Sequence, residues 1–437
     1  MVRTFVLPLL LAAVAAAEHW AVIVVGSTGY WNYRHQADAC HAYQVVRSHG
    51  IPESNIVLMM YDDVANSSSN PFPGQLFNKP TMHSSDAVDV YQNCHVDYRG
   101  DDVTPKKFLQ VLLGDTAAGG KVLKSKSTDR VFVNFVDHGA TGMVVFPSHN
   151  LYAKDLVETL KTMHERQLYK ELVFYMEACE SGSMFKDLLP ENINAFVTTA
   201  ANEKESSWGT YCPPVSDHIG TKLLGTCLGD LYSVNWMEDS DKSDLSKETL
   251  QEQYNRVKKL TDKSHVLEFG SPSMHDDPVG DFQSNTDHDG PTFSSADKSN
   301  NEPSKVDSSV NSRDIELITK FYQYLRSDSK DRTPLAHALM ETIQQREMSD
   351  HVFRDIVRLT KSSSPTLTAS DDPLNDSCLR HVNEIVEQHC GRYSDFGLQY
   401  VSHIVSLCNQ GYDASIISAH AITACHRHST KARVFAP

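Results

Sequence analysis

Hydrophobic positions fall into distinct regimes along the chain. From residue 18 to about 240, short runs of near-continuous apolar residues alternate with longer stretches whose apolar positions recur every three or four residues. The runs are 21–25 (AVIVV), 56–60 (IVLMM), 131–136 (VFVNFV), 172–176 (LVFYM) and 195–198 (AFVT). Runs that are apolar at every position suit strands covered on both faces. The stretches 35–49, 105–113 and 154–164 predict helices that supply the cover. The pattern is that of an α/β fold, a mainly parallel sheet flanked by helices.

Residues 271–313 break this pattern. They are rich in Ser, Asp, Asn and Pro and nearly empty of large apolar side chains. Such a segment cannot bury enough surface to offset its ordering entropy, so it predicts a flexible linker between a domain at 18–270 and whatever follows. From 314 to 437 the periodicity is helical throughout. Ile315, Ile318, Phe321, Tyr322 and Leu325 share one face, and Val352, Phe353, Ile356 and Leu359 another. The start differs again: 1–17 carries Arg3, an apolar stretch from Phe5, and small residues at Ala15 and Ala17. That is the pattern of a secretory signal peptide cut before Glu18. Sequons at Asn66 and Asn375 suit the same route as glycosylation acceptors.

Composition narrows the functional classes. The 437 residues hold 40 Lys and Arg against 56 Asp and Glu, a formal net charge of −16. A nucleic-acid platform needs clustered positive charge, so that class is set aside. Past the leader, no apolar run approaches the ~20 residues of a membrane span. Region 314–437 is nearly balanced, with 13 Lys and Arg against 15 Asp and Glu, and it holds 8 His. It can turn positive as pH falls through ~6.5 and be drawn to the acidic remainder. Nine cysteines are present, four of them at 378, 390, 408 and 425, and no C-x-x-C or H-E-x-x-H occurs. The common zinc spacings are missing, and no metal or cofactor is implied.

Two predicted strands end in chemically suggestive loops. VFVNFV leads into Asp137-His138-Gly139, and LVFYM leads into Glu177-Ala178-Cys179-Glu180-Ser181-Gly182. Ligands in open α/β sheets sit at the carboxyl ends of strands, which directs both loops to one crevice. A thiolate beside an imidazole is a nucleophile–base pair. Gly139 and Gly182 let backbone N–H groups approach a developing oxyanion.

These loops, with GSTGYWNYRHQADACHAYQ (26–44), MMYDD (59–63), FYMEACESGSMF (174–185), TTAANEKESSWGTYC (198–212) and LGDLYSVNWMEDSD (228–241), resemble the legumain family along the whole chain. Legumains are asparaginyl endopeptidases with a caspase-like fold, made as proenzymes with a disulfide-tied helical prodomain. The resemblance implies Cys179 as nucleophile, His138 as general base, Asn32 as the residue orienting it, and the N–H groups of Gly139 and Cys179 as oxyanion donors. It implies a pocket for the substrate asparagine built from Arg34, His35, Glu177, Ser206 and Asp230, and Asp137 as a succinimide-forming position linked to ligase behaviour. It further implies disulfides Cys378–Cys408, Cys390–Cys425 and Cys212–Cys227, with Cys40 buried and reduced and Cys94 unassigned. Protein and peptide substrates with exposed Asn, the chain's own prodomain and cystatin-type inhibitors are the implied partners. An endolysosomal, digestive or extracellular location is the implied setting.

The pocket makes chemical sense by itself. A carboxamide offers one acceptor oxygen and two donor hydrogens, so it calls for a donor such as Arg34 and acceptors such as Glu177 and Asp230. A protease cutting after Asn meets Asn285, Asn300, Asn301 and Asn311 in its own linker, and Asn311, just before the helical region, is the first expected processing site. The residues leave open whether water or an amine resolves an acyl-enzyme, hence endopeptidase or transpeptidase, and whether the chain is a catalytically silent binding protein. Stretches 67–80 and 82–96 carry no readable motif.

Overall fold

The computed structural model describes residues 17–285, 308–363 and 374–428. Residues 1–16 of the leader expected at 1–17 lie outside this set, as do Asn300 and Asn301. A six-stranded sheet forms the centre, from β1 (His19–Val25), β2 (Ile56–Met59), β3 (Arg130–Val136), β4 (Glu171–Glu177), β5 (Ala195–Thr199) and β6 (Leu267–Gly270). Spatial order is β6-β5-β4-β3-β1-β2, all parallel except β6. Every residue of β1 is buried, as the unbroken apolar run requires. Alternate side chains feed two cores. Ala21, Ile23 and Val25 pack beneath α1 (Tyr33–Ser48), whereas Trp20, Val22 and Val24 face α2 (Pro105–Leu112) and α3 (Ala153–Glu165). Two further helices, α4 (Leu231–Ser240) and α5 (Leu250–Leu260), lie on the α1 side.

Both β2 and β3 flank β1, so the chain leaves β1 in one direction and returns on its other side. That is a topological switch point, where the carboxyl ends of strands open a crevice. β1 runs in register with β3, Val25 opposite Val136, and β3 with β4, Val136 opposite Glu177. Segments after all three strands therefore emerge level.

The linker is shorter than its composition predicts. Residues 271–285 are folded against the sheet domain, with Met274, Val279 and Phe282 buried and Gln283 accepting from Ser240 Oγ at 2.7 Å. Three apolar side chains suffice because they join the core already formed on the α1 side by Leu250, Tyr254 and Val257. Asn285 ends this segment with its N–H bonded to His49 O at 2.9 Å. At the other end, residues 308–313 are ordered as well.

Beyond them come Ile315–Arg326, Arg332–Ser362, Asp376–Cys390, Val401–Asn409 and Ala414–His428, all helical. Val352, Phe353 and Ile356 form their core with Val382, Val386, Ile404 and Ile417. Phe321 and Leu325, expected on a buried face, are 41% and 47% exposed, so that face of the first helix is only partly used. The disulfides Cys378–Cys408, Cys390–Cys425 and Cys212–Cys227 are formed. Cys40 is not reduced: it bonds Cys94, tying α1 to the loop beyond β2. Their separation of 54 residues hides the pairing from sequence. Closing a loop of that size removes about 4 kcal/mol of denatured-chain entropy. Cys179 is the free cysteine. Thiol titration of the denatured chain should therefore count one sulfhydryl; a count of three would restore Cys40 and Cys94 to the reduced state.

Candidate active site

Asn32 follows β1 directly before α1, His138 follows β3, and Cys179 follows β4, so the switch point collects all three. Asn32 donates from Nδ2 to Thr28 O at 3.0 Å, which turns its Oδ1 toward His138 Nε2 at 2.9 Å. Asp395 Oδ2 lies 3.2 Å from the same nitrogen. Both neighbours are acceptors, so Nε2 carries the proton. Nδ1, buried and without a hydrogen-bond partner, is left as the basic nitrogen. His35 packs edge-on against His138 at 4.9 Å between ring centres and bonds Ser27 Oγ at 2.6 Å. Burial, the Arg34 charge and His138 hold His35 well below the usual histidine range.

Gly139 is required by close approach. A Cβ there would meet the Cys179 carbonyl oxygen at 2.3 Å, so only glycine lets the two catalytic loops touch. Asp137 is fully buried and both its carboxylate oxygens lack hydrogen-bond partners. Desolvation raises its pKa well above its ordinary value. His35, Asp137 and His138 bring potential ligand atoms within 4.8 Å of one another and are a group able to hold a cation.

The pocket residues are also assembled. Arg34 Nε donates to Asp230 Oδ1 at 2.8 Å, and His35 Nε2 lies 3.5 Å from Asp230 Oδ2. Glu177 Oε2 accepts from the Ser233 N–H and hydroxyl, each at 3.1 Å. Burial and the nearby Asp230 charge push Glu177 well above its ordinary value. Ser206 does not join this group. It lines an interdomain cleft of about 690 Å³ with Glu180, Thr141 and Tyr400.

Residues invisible in sequence close the site. Ser207 meets Cys179: its N–H donates to Sγ at 3.3 Å and its hydroxyl lies 3.7 Å away. Val310–Asn311 adds an antiparallel strand to Trp208–Thr210, with Asn311 opposite Trp208. Ser312 N donates to Ser207 O at 3.1 Å. Asn311 is thus hydrogen-bonded across the site, its Oδ1 accepting from Arg313 N at 2.9 Å. Arg313, 4% exposed, spans both loops: Nη2 donates to Gly139 O at 2.6 Å and Glu180 Oε2 at 2.7 Å, and Nη1 to Asp395 O at 2.9 Å. Asp395 also accepts from Trp31 Nε1 at 3.1 Å. Burial raises the Cys179 thiol pKa, the nearby Arg313 charge offsetting only part of the effect. The covered sulfur is a protonated thiol, not a nucleophile.

Other placements are simpler. Asn66 is exposed, whereas Asn375 donates from Nδ2 to Cys408 O at 2.9 Å. An Arg-Gly-Asp triplet, expected to be missing from the chain, is present at Arg99-Gly100-Asp101, on a turn where Arg99 and Asp101 are exposed and Arg99 Nε donates to Asp62 Oδ2 at 2.6 Å.

Removing Arg313 leaves Glu180 buried and unpaired, a loss of about 3–5 kcal/mol by analogy with broken buried pairs. Arg313→Ala should speed alkylation of Cys179 by iodoacetamide in the intact chain at neutral pH by at least about tenfold. Equal rates would mean that the cover is held elsewhere.

Comparison with known proteins agrees with this arrangement. The Peptidase C13 family model matches residues 19–285, and that of the legumain prodomain matches residues 337–425. Legumain of Bos taurus is 41% identical over 422 residues, spanning 94% of this chain and 93% of the relative. The vacuolar-processing enzyme beta-isozyme of Arabidopsis thaliana is 39% identical over 94% of this chain and 86% of its own length. Hemoglobinase of Schistosoma mansoni is 41% identical over 93% and 91%. The chain therefore belongs to the peptidase C13 family and is a cysteine-type endopeptidase with a prodomain of the legumain kind.

Proposed function

We propose that this proenzyme, once its helical region is displaced, hydrolyses peptide bonds on the carboxyl side of asparagine. One observation carries the reading. Around Arg34, three buried groups lack hydrogen-bond partners: the donor Nη2 of Arg34 and the acceptors Oε1 of Glu177 and Oδ2 of Asp230. One donor and two acceptors are the complement of a side-chain carboxamide, and unpaired buried polar groups are costly enough to demand such a ligand.

The chemistry follows from the site. Once uncovered, His138 Nδ1 takes the Cys179 proton while Asn32 Oδ1 holds Nε2–H, fixing the tautomer. The thiolate attacks the carbonyl carbon, the N–H groups near Gly139 and Cys179 steady the oxyanion, and the imidazolium protonates the leaving amine. Water then resolves the acyl-enzyme. Asn311 and Asn285 stand at the two described ends of the linker, where self-cleavage would detach the cover. The histidine-rich helical region and the vacuolar naming of relatives support an acidic lysosomal or vacuolar setting, reached through a leader at 1–17 and with glycans at Asn66 and Asn375. Protein substrates with exposed Asn, and cystatin-type inhibitors, are the partners this reading carries.

Protonated aspartate presents a donor beside an acceptor, as asparagine does, and ionised aspartate presents acceptors alone. Paired peptides assayed from about pH 4 to 7 should show cleavage after Asn throughout the active range and after Asp only at the acid end; equal cleavage of both at neutral pH would sink the pocket assignment. Cys179→Ala should lose all activity, and terminal sequencing after acid incubation should place new carboxyl ends at Asn.

A further inference from the structure

Asp230 is placed by a buried chain of polar groups that ends outside the pocket. Its backbone N–H donates to Asp38 Oδ2 at 3.0 Å. Asp38 Oδ1 accepts from Asn78 Nδ2 at 2.6 Å, and the same amide donates to Leu228 O at 2.9 Å. Asn78 Oδ1 faces His41 Nδ1 at 2.7 Å, and His41 Nε2 faces Asp241 Oδ2 at 2.9 Å. The grip is tight: a Cβ on Gly229 would meet Asn78 Nδ2 at 2.9 Å and Asp38 Oδ1 at 3.1 Å. Asp38 and His41 sit one turn apart on α1 and hold the two ends of α4, which begins after Asp230 and ends before Asp241. The first turn of α4 also carries Ser233, the partner of Glu177. Asn78 gives the stretch 67–80 its role.

Hydrogen-bond logic fixes the charge on His41. Flipping Asn78 would set its oxygen against Asp38 and the Leu228 carbonyl, so Nδ2 stays there and Oδ1 faces the imidazole. His41 then lies between two acceptors. Either neutral tautomer leaves a ring lone pair opposed to one of them at 2.7 or 2.9 Å. Only the imidazolium donates to both.

We propose that His41 is a positioning residue for the substrate pocket: as an imidazolium it holds Asp230 through Asn78 and Asp38, and loss of its proton loosens the pocket as pH rises. The charged groups facing it are Asp241 and, farther off, Glu238, itself paired with Lys79 at 3.6 Å and Lys242 at 3.2 Å. Burial lowers the His41 pKa, but Asp241, Asn78 and Glu238 together carry it above the ordinary histidine value. A folded pKa above the unfolded one stabilises fully below ~6.5 and is lost as pH climbs through the raised value. The clamp is therefore engaged in acid and released toward neutrality.

The inference rests on the asparagine-pocket reading, and two measurements separate the failure of each. In the full chain after its own acid activation, KM for an Asn peptide should rise at least about fivefold from pH 5 to 7.5. His41→Gln should raise KM about tenfold at pH 5, flatten its pH dependence, and leave kcat and Cys179 alkylation within about twofold. Asn78→Ala should act in the same direction at pH 5. A KM–pH curve for His41→Gln parallel to that of the parent overturns the proposal, as does loss of kcat and alkylation together with KM. If the parent chain cleaves no Asn peptide, the pocket reading fails by itself. The His41 proton is then read directly by ¹³C-histidine titration of Cys179→Ala, assigned by the signal missing in a second chain that also carries His41→Gln. More than half protonated at pH 6.5 is expected; a neutral ring at that pH overturns the clamp.

Discussion

Parallel pairing of β1, β3 and β4 in a common register is the constraint on which the chemistry hangs. Val25, Val136 and Glu177 end their strands side by side, so the segments carrying Asn32, His138 and Cys179 leave the sheet at one level. Because side chains alternate across a strand, a slip of one residue would exchange the two cores and move Glu177 off the pocket side. Both faces of these strands are buried, which makes such a slip costly. The catalytic loops can be short because the sheet has already brought them within reach. Gly139 against the Cys179 carbonyl is the closest point of that approach.

Burying this much charge has consequences for the proton inventory. Asp38, Asp137, Glu177 and Asp230 are all almost fully inaccessible, with Arg34 as the guanidinium among them. One cation cannot balance four carboxylates away from water, and desolvation accordingly lifts Asp38, Asp137 and Glu177 well above their ordinary values. Arg34 and Asp230 form the firm ion pair of the group. Such groups keep their hydrogen-bonding capacity for a ligand.

The helical region acts on this arrangement by geometry and by dielectric. Arg313 and Asp395 reach into the crevice from the covering side, one touching Gly139 and Glu180, the other His138 and Trp31. The burial of Cys179 raises its thiol pKa, and the Arg313 charge offsets part of that rise. More remote contacts share the load, including Arg326 with Asp217 at 2.6 Å and Arg380 with Asp155 at 2.8 Å. Held this way, inactivity needs no distortion of the catalytic loops.

Local pattern was enough for the sheet strands, the main helices and the two catalytic loops, because period and apolarity are set by burial and glycine by close approach. The loops after residues 136 and 176 suggested a His–Cys pair by themselves, whereas the roles expected of Asn32, Arg34, Glu177 and Asp230 came from the family resemblance. Sequence could not show that Ser207 meets the sulfur, because it lies in the loop before Trp208–Thr210 and only the fold brings that loop to Cys179. Nor could it give the Cys40–Cys94 bond, the folding of 271–285, or the insertion of Arg313 and Asp395. Each joins groups far apart in the chain, and such contacts exist only once the sheet has set the surfaces between which they form.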